Sequence, residues 1–76
     1  MALRKRWKQL SRETVASAPD AYALIEFGDD DGTVVRTTAG LLPDELREAL
    51  AYGDAAQVRW ERAQSAEHAE RLLDEQ

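Results

Sequence analysis

The densest chemistry in this chain is a run of cations interrupted by an aromatic: Arg4, Lys5 and Arg6, then Trp7, then Lys8. Guanidinium and ammonium groups neutralise phosphates, and an indole offers a face on which a base can stack, so this pattern fits a nucleic-acid-binding arm. The same residues also fit a second arrangement, in which Trp7 and Leu10 dock on the core and the cationic heads stay in solvent. A second cluster, Asp29, Asp30 and Asp31, gathers carboxylates but lacks the spaced ligands and terminal glutamate of a calcium loop, and reads as a solvated turn. His68 stands alone and there is no cysteine, so thiolate nucleophiles, disulfides and a self-contained multi-histidine zinc site are excluded.

Charge is divided along the chain. Residues 1–12 carry five cations and no acid, a balance of +5, whereas the remainder sets five arginines against fifteen acids, a balance of −10. Both lysines lie in the first segment. An acidic, lysine-poor, alanine-rich body suits a salt-rich cytoplasm, where charge repulsion is screened, and the composition resembles that of small haloarchaeal proteins. No apolar run reaches the ~18 residues of a membrane span, and residues 1–12 lack the apolar core of a signal peptide, so a cytoplasmic protein with no membrane partner is expected.

The 76 residues suit one domain, divided into a basic arm at 1–10 and a compact body at 11–76. The body is organised around a hairpin at 21–38. Ala21 to Phe27 is a near-continuous apolar run that suits a central strand, Gly28 to Gly32 is the turn, and Thr33 to Thr38 returns until Ala39-Gly40 breaks the strand. Ser11 caps a short helix at 12–18, with Leu10 and Val15 spaced as a hydrophobic staple. Pro43, Asp44 and Glu45 open a helix at 43–52, whose stripe is Leu42, Leu46, Ala49 and Leu50 and whose C-terminal glycine is Gly53. Asp54-Ala55-Ala56 turns into a third strand at 57–63, with Val58 and Trp60 on one face and Arg59 and Glu61 on the other. Arg59 opposite an acid reads as a surface pair. Ser65 caps a last helix at 66–75, packed through Ala66, Ala69, Leu72 and Leu73, with His68 just off that face and exposed. The fold class is α+β: a three-stranded, mostly antiparallel sheet with flanking helices, in the order short helix, β, β, α, β, α.

Pro19-Asp20-Ala21-Tyr22, the apolar strand, the acidic turn and Val34-Val35 together resemble the opening of the GIY-YIG endonuclease family, and the likeness in element order covers roughly residues 19–75. The resemblance implies a metal-dependent nuclease site. Tyr22 stands where the first motif has its tyrosine, Arg47 lies within one position of the family's arginine, and Glu70 matches the metal-binding glutamate that would hold Mg²⁺ or Mn²⁺. The chain departs from the pattern elsewhere: Asp20 and Ala21 replace the glycine and aliphatic residue of the first motif. The second motif falls on Arg36-Thr37-Thr38, with neither tyrosine nor glycine. Losing a phenol that could pass a proton removes part of the cleavage chemistry, while Arg36 retains an affinity for phosphate. Each candidate also has a plain structural role: Tyr22 as a sheet aromatic, Arg47 as a surface pair with a neighbouring acid, Glu70 as part of a solvated helix face. The expected function is therefore a small, non-catalytic binding or interaction module on a degenerate GIY-YIG-like fold, with a protein partner and no cofactor. The alternatives are a nucleic-acid-binding protein using Arg4, Lys5, Arg6, Lys8 and Arg36, or a residual nuclease. Sheet edges leave self-association open.

Overall fold

A computed structural model describes residues 5–53 and 55–75. The elements follow in the order β1 (Lys8–Gln9), α1 (Arg12–Ser17), β2 (Tyr22–Gly28), β3 (Val34–Leu41), α2 (Leu42–Tyr52), β4 (Gln57–Arg62) and α3 (Ala66–Asp74). The fold is α+β. The expected sheet of three strands has four, in the order β1-β4-β2-β3, and every neighbouring pair is antiparallel. The extra strand comes from the basic segment, where Lys8 pairs with Val58 and Gln9 with Gln57. Two residues flanked by a tryptophan and a short helix carry too little alternation to read as a strand, and only the free outer edge of β4 makes them one. Arg4 and Asp54 lie outside the described residues.

β2 is central, as its apolar run requires, and every residue from Ala23 to Gly28 is buried. Its alternation divides the molecule into two layers. Ala23, Ile25 and Phe27 face a core completed by Val58, Leu10 and, from α2, Leu42, Leu46 and Ala49, with Val15 of α1 and Trp60 at its margin. Leu24 and Glu26 face the other way, towards α3, whose Ala69 is fully buried. Burying side chains the size of Leu46 or Phe27 contributes roughly 1.5–3 kcal/mol each.

The caps hold the helices where the sequence puts them. The Ser11 hydroxyl accepts from the Thr14 N–H at 3.3 Å, and Ser65 accepts from the His68 N–H at 3.1 Å. His68 is half-buried rather than exposed, because its Nδ1 accepts from the Gln64 N–H at 3.0 Å and closes the cap from the other side. Gly53 ends α2 in the left-handed region at φ 65°, donating to Ala49 C=O. Ala66, expected on the packed face of α3, is exposed. Ala39-Gly40 does not break β3, which runs to Leu41. Gly40 serves a close approach instead, since a Cβ there would lie 3.0 Å from Glu45 Oε2.

Two substitutions separate core from cap. Leu46→Ala is expected to cost about 2–5 kcal/mol in urea unfolding, because the site is fully packed. Gly53→Ala, which meets no neighbour, is expected to cost about 1 kcal/mol through its positive φ alone.

Candidate functional site

The most built constellation of polar groups lies on the α3 side of the sheet. Glu26 and Arg59 stand directly opposite each other on β2 and β4, and Arg59 Nε donates to Glu26 Oε1 at 2.7 Å, with the glutamate side chain 2% and the arginine 13% exposed. The Trp7 ring lies over the guanidinium at 4.1 Å, and Arg59 also donates to the Lys5 C=O at 3.3 Å. Glycines admit the indole: a Cβ at Gly28 would fall 2.6 Å from the Trp7 ring, and one at Gly32 3.3 Å from its Nε1. Arg59, read as half of a surface pair, is thus half-buried, because Trp7 returns over it and shields it from water. The signal in the sequence was one carboxylate inside an apolar strand, which must find a cation if it is to be buried charged.

The rest of the basic segment is spread over two faces. Trp7 covers Arg59 on one, while the Lys8 ammonium lies 5.0 Å over the Trp60 ring on the other. Lys5 and Arg6 are exposed. Arg36 lies far from them, on the opposite edge strand, with its guanidinium 4.5 Å over the Phe27 ring. Among the described residues the segment therefore offers the exposed cations Lys5, Arg6 and Lys8, spread over two faces and not in a continuous stripe with Arg36.

The residues singled out by family likeness are not gathered. Tyr22 is 39% exposed and borders an open depression with Asp20, Ala21, Arg62, Ala63 and Gln64. Neither Arg47 nor Glu70 lines it. Arg47 is exposed on α2 and pairs with Asp44 at 3.6 Å, and Glu70 is exposed on α3. Those helices cover opposite faces of the sheet. Among the described residues, no three of His, Asp and Glu converge in a group that could hold a metal ion. Tyr22 and Arg62 could together hold a small polar group, but proton transfer to a metal-bound phosphate needs groups this arrangement keeps apart.

The remaining feature is an edge. Tyr22 pairs with Leu41, which sets Ala21 opposite Leu42, and the Leu42 N–H donates to Ala21 C=O at 2.9 Å. Antiparallel ladders alternate, so Gly40, Thr38 and Arg36 turn their backbone groups towards β2. Ala39 and Thr37 turn theirs outwards, whereas the register shift at Phe27/Gly28 makes a β-bulge at Val35, and Leu41, the N-cap of α2, gives its C=O to that helix. The β2–β4 ladder agrees independently, because Ala63 N–H donates to Tyr22 C=O at 2.8 Å, placing the even residues of β2 towards β4. No strand among the described residues pairs the outer side of β3, and Val34 and Val35 are exposed at its start. Reading the sequence for side-chain chemistry missed this surface, which is made of backbone.

Among the described residues, no helix is long and apolar enough to cross a membrane. The chain belongs to the family described as a domain of unknown function (DUF7508), whose profile matches residues 1–76. No curated protein and no solved structure matches it.

The buried pair gives a double-mutant test. Arg59→Met removes the cation opposite a buried carboxylate and is expected to lower the unfolding free energy by up to about 3–5 kcal/mol, whereas Glu26→Leu combined with Arg59→Met is expected to recover most of that loss. Chemical denaturation of the single and double variants measures both.

Proposed function

We propose that this protein is a small non-catalytic binding module that engages a protein partner through the open edge of β3. The observation that carries this reading is the outward backbone of Thr37 and Ala39 on a strand whose outer side no described strand pairs, beside the exposed Val34 and Val35. An unpaired row of N–H and C=O groups is a template for another strand, and natural edges are commonly blunted by lysine, proline or brevity. The other edge, β1, is two residues long and carries Lys8. β3 has eight residues and neither lysine nor proline, and its one interruption is the β-bulge at Val35, near its start.

On this reading the succession β2, β3, α2, β4, α3 is that of a degenerate GIY-YIG-like domain. The separation of Tyr22, Arg47 and Glu70 and the lost second motif leave the nuclease alternative, with Mg²⁺ or Mn²⁺ on Glu70, the weaker one. The nucleic-acid alternative rests on Lys5 and Arg6, which are exposed side by side, against a body whose acidic excess opposes phosphate binding. The acidic, lysine-poor body also supports a cytoplasmic, salt-adapted setting.

Amide hydrogen exchange on the dilute protein tests the module reading. The amides of Thr37, Ala39 and Leu41 are expected to exchange far faster than those of Arg36, Thr38 and Gly40, and equal protection of both sets would contradict an open edge. In parallel, incubation with duplex DNA and Mg²⁺ or Mn²⁺ is expected to give no cleavage. Cleavage that is lost on Tyr22→Phe or Glu70→Gln would instead establish the nuclease.

A further inference from the structure

We propose that residues 5–8 are an autoinhibitory strap. Closed, they hold Trp7 on the chain's own Arg59; released, they present Trp7 with Lys5, Arg6 and Lys8 to single-stranded nucleic acid.

The closed segment cannot act as a binding arm. Lys8 pairs with Val58, and strand alternation puts Lys8 and Trp7 on opposite faces of the sheet. The Lys8 ammonium lies 5.0 Å over the Trp60 ring on one face, and the Trp7 ring lies 4.1 Å from the Arg59 guanidinium on the other. One strand of nucleic acid cannot stack a base on Trp7 and set a phosphate beside Lys8 while the sheet stands between them. Off the sheet, the same four residues form a short run in which an indole is flanked by cations on both sides. That combination takes phosphates and unstacked bases together. A duplex keeps its bases stacked on one another and offers the indole no free face.

The segment can come away without the body. Its fixed end is Gln9–Leu10: Leu10 is buried and its N–H donates to Ala56 C=O at 3.0 Å, while Gln9 C=O accepts from the Thr14 hydroxyl at 2.6 Å. Ahead of that anchor Lys5, Arg6 and Lys8 are exposed and Trp7 is half-buried. Of these four residues, Lys8 alone belongs to a strand. Segments with few buried contacts and exposed backbone bonds open below the free energy of global unfolding. The seat also survives opening. Arg59 Nε is bonded to Glu26 at 2.7 Å independently of the indole, so no charge is left unpaired when Trp7 departs. Trp7 is the latch.

A closed strap lowers the apparent affinity by the fraction of chains that are open. Gly28 gives experimental control of that fraction. Its φ is not positive, and the three atoms nearest to a Cβ there all belong to the Trp7 ring, at 2.6, 2.9 and 2.9 Å. Gly28→Ala therefore unseats the indole without altering a cation.

Titration with a short oligothymidylate at low salt, followed by NMR at Trp7 and Gly32, tests the proposal. In the wild type, saturation is expected to abolish the ring-current shift of the Gly32 α-protons, as the indole leaves its seat for a base. Gly28→Ala is expected to lack that shift without ligand and to bind about tenfold or more tightly than the wild type. Adding Trp7→Ala to Gly28→Ala is expected to weaken binding by about tenfold, the loss of one stacked base. A wild type that binds with its indole still seated, or that does not bind, would overturn the proposal, and this arm stands even if Gly28→Ala fails to fold. So would an indole that stays seated in Gly28→Ala, a displaced indole with no gain in affinity, or a gain that survives Trp7→Ala. None of these results bears on the β3 edge, which lies at the opposite side of the sheet.

Discussion

The fold depends on how one carboxylate is kept inside an apolar sheet. Glu26 sits in the central strand with its side chain 2% exposed, in a position where an unpaired charge would cost more than the strand's neighbours could return. Arg59, directly across on β4, neutralises it, and Trp7 closes over Arg59 from the N-terminal segment. Three distant parts of the chain are fixed by this stack. β2 and β4 are held in register, since a one-residue slip would turn either partner to the opposite face. The N-terminal segment is pinned on the sheet, which explains why Lys8–Gln9 can pair as a strand despite its brevity. Gly28 and Gly32 are required as the floor on which the indole rests.

The two sides of the sheet are therefore built on different principles. On the α2 side, close-packed apolar groups from Leu10, Ile25, Phe27, Leu42, Leu46 and Val58 exclude water, with the Arg36 guanidinium laid over Phe27 at the edge. On the α3 side, α3 covers only part of the surface, and the ion pair with its aromatic cover does the rest. A chain of this size has little core to spare, and the stack lets residues 5–10 add to the body.

Much of the fold was legible because it is written in local patterns. The stripe Leu42, Leu46, Ala49, Leu50 and the caps Ser11, Ser65 and Gly53 each act within a turn or two of chain, and the structure places them as the spacing requires. The central place of β2 followed from its unbroken apolar run. What was not legible depends on contacts between distant residues. Gly40 resembles a strand breaker until Glu45 is seen to occupy its side-chain space. Arg59 resembles a surface cation until Trp7 is seen above it. For the candidate site, Tyr22, Arg47 and Glu70 could each be named, but whether they meet is a question of topology, and the two helices involved lie on opposite faces. The outer edge of β3 could not be named from residue types, because its N–H and C=O groups belong to every sequence alike.

The closure of the N-terminal segment over the Glu26–Arg59 pair is tested most directly by nuclear Overhauser contacts from the Trp7 indole in the isotopically labelled protein. Strong contacts to the Gly28 and Gly32 α-protons, with the Gly28 protons displaced upfield by the ring current, are the expected result. A Trp7 indole with random-coil shifts and no contact to either glycine would contradict the closure, and would return residues 5–10 to a free basic arm.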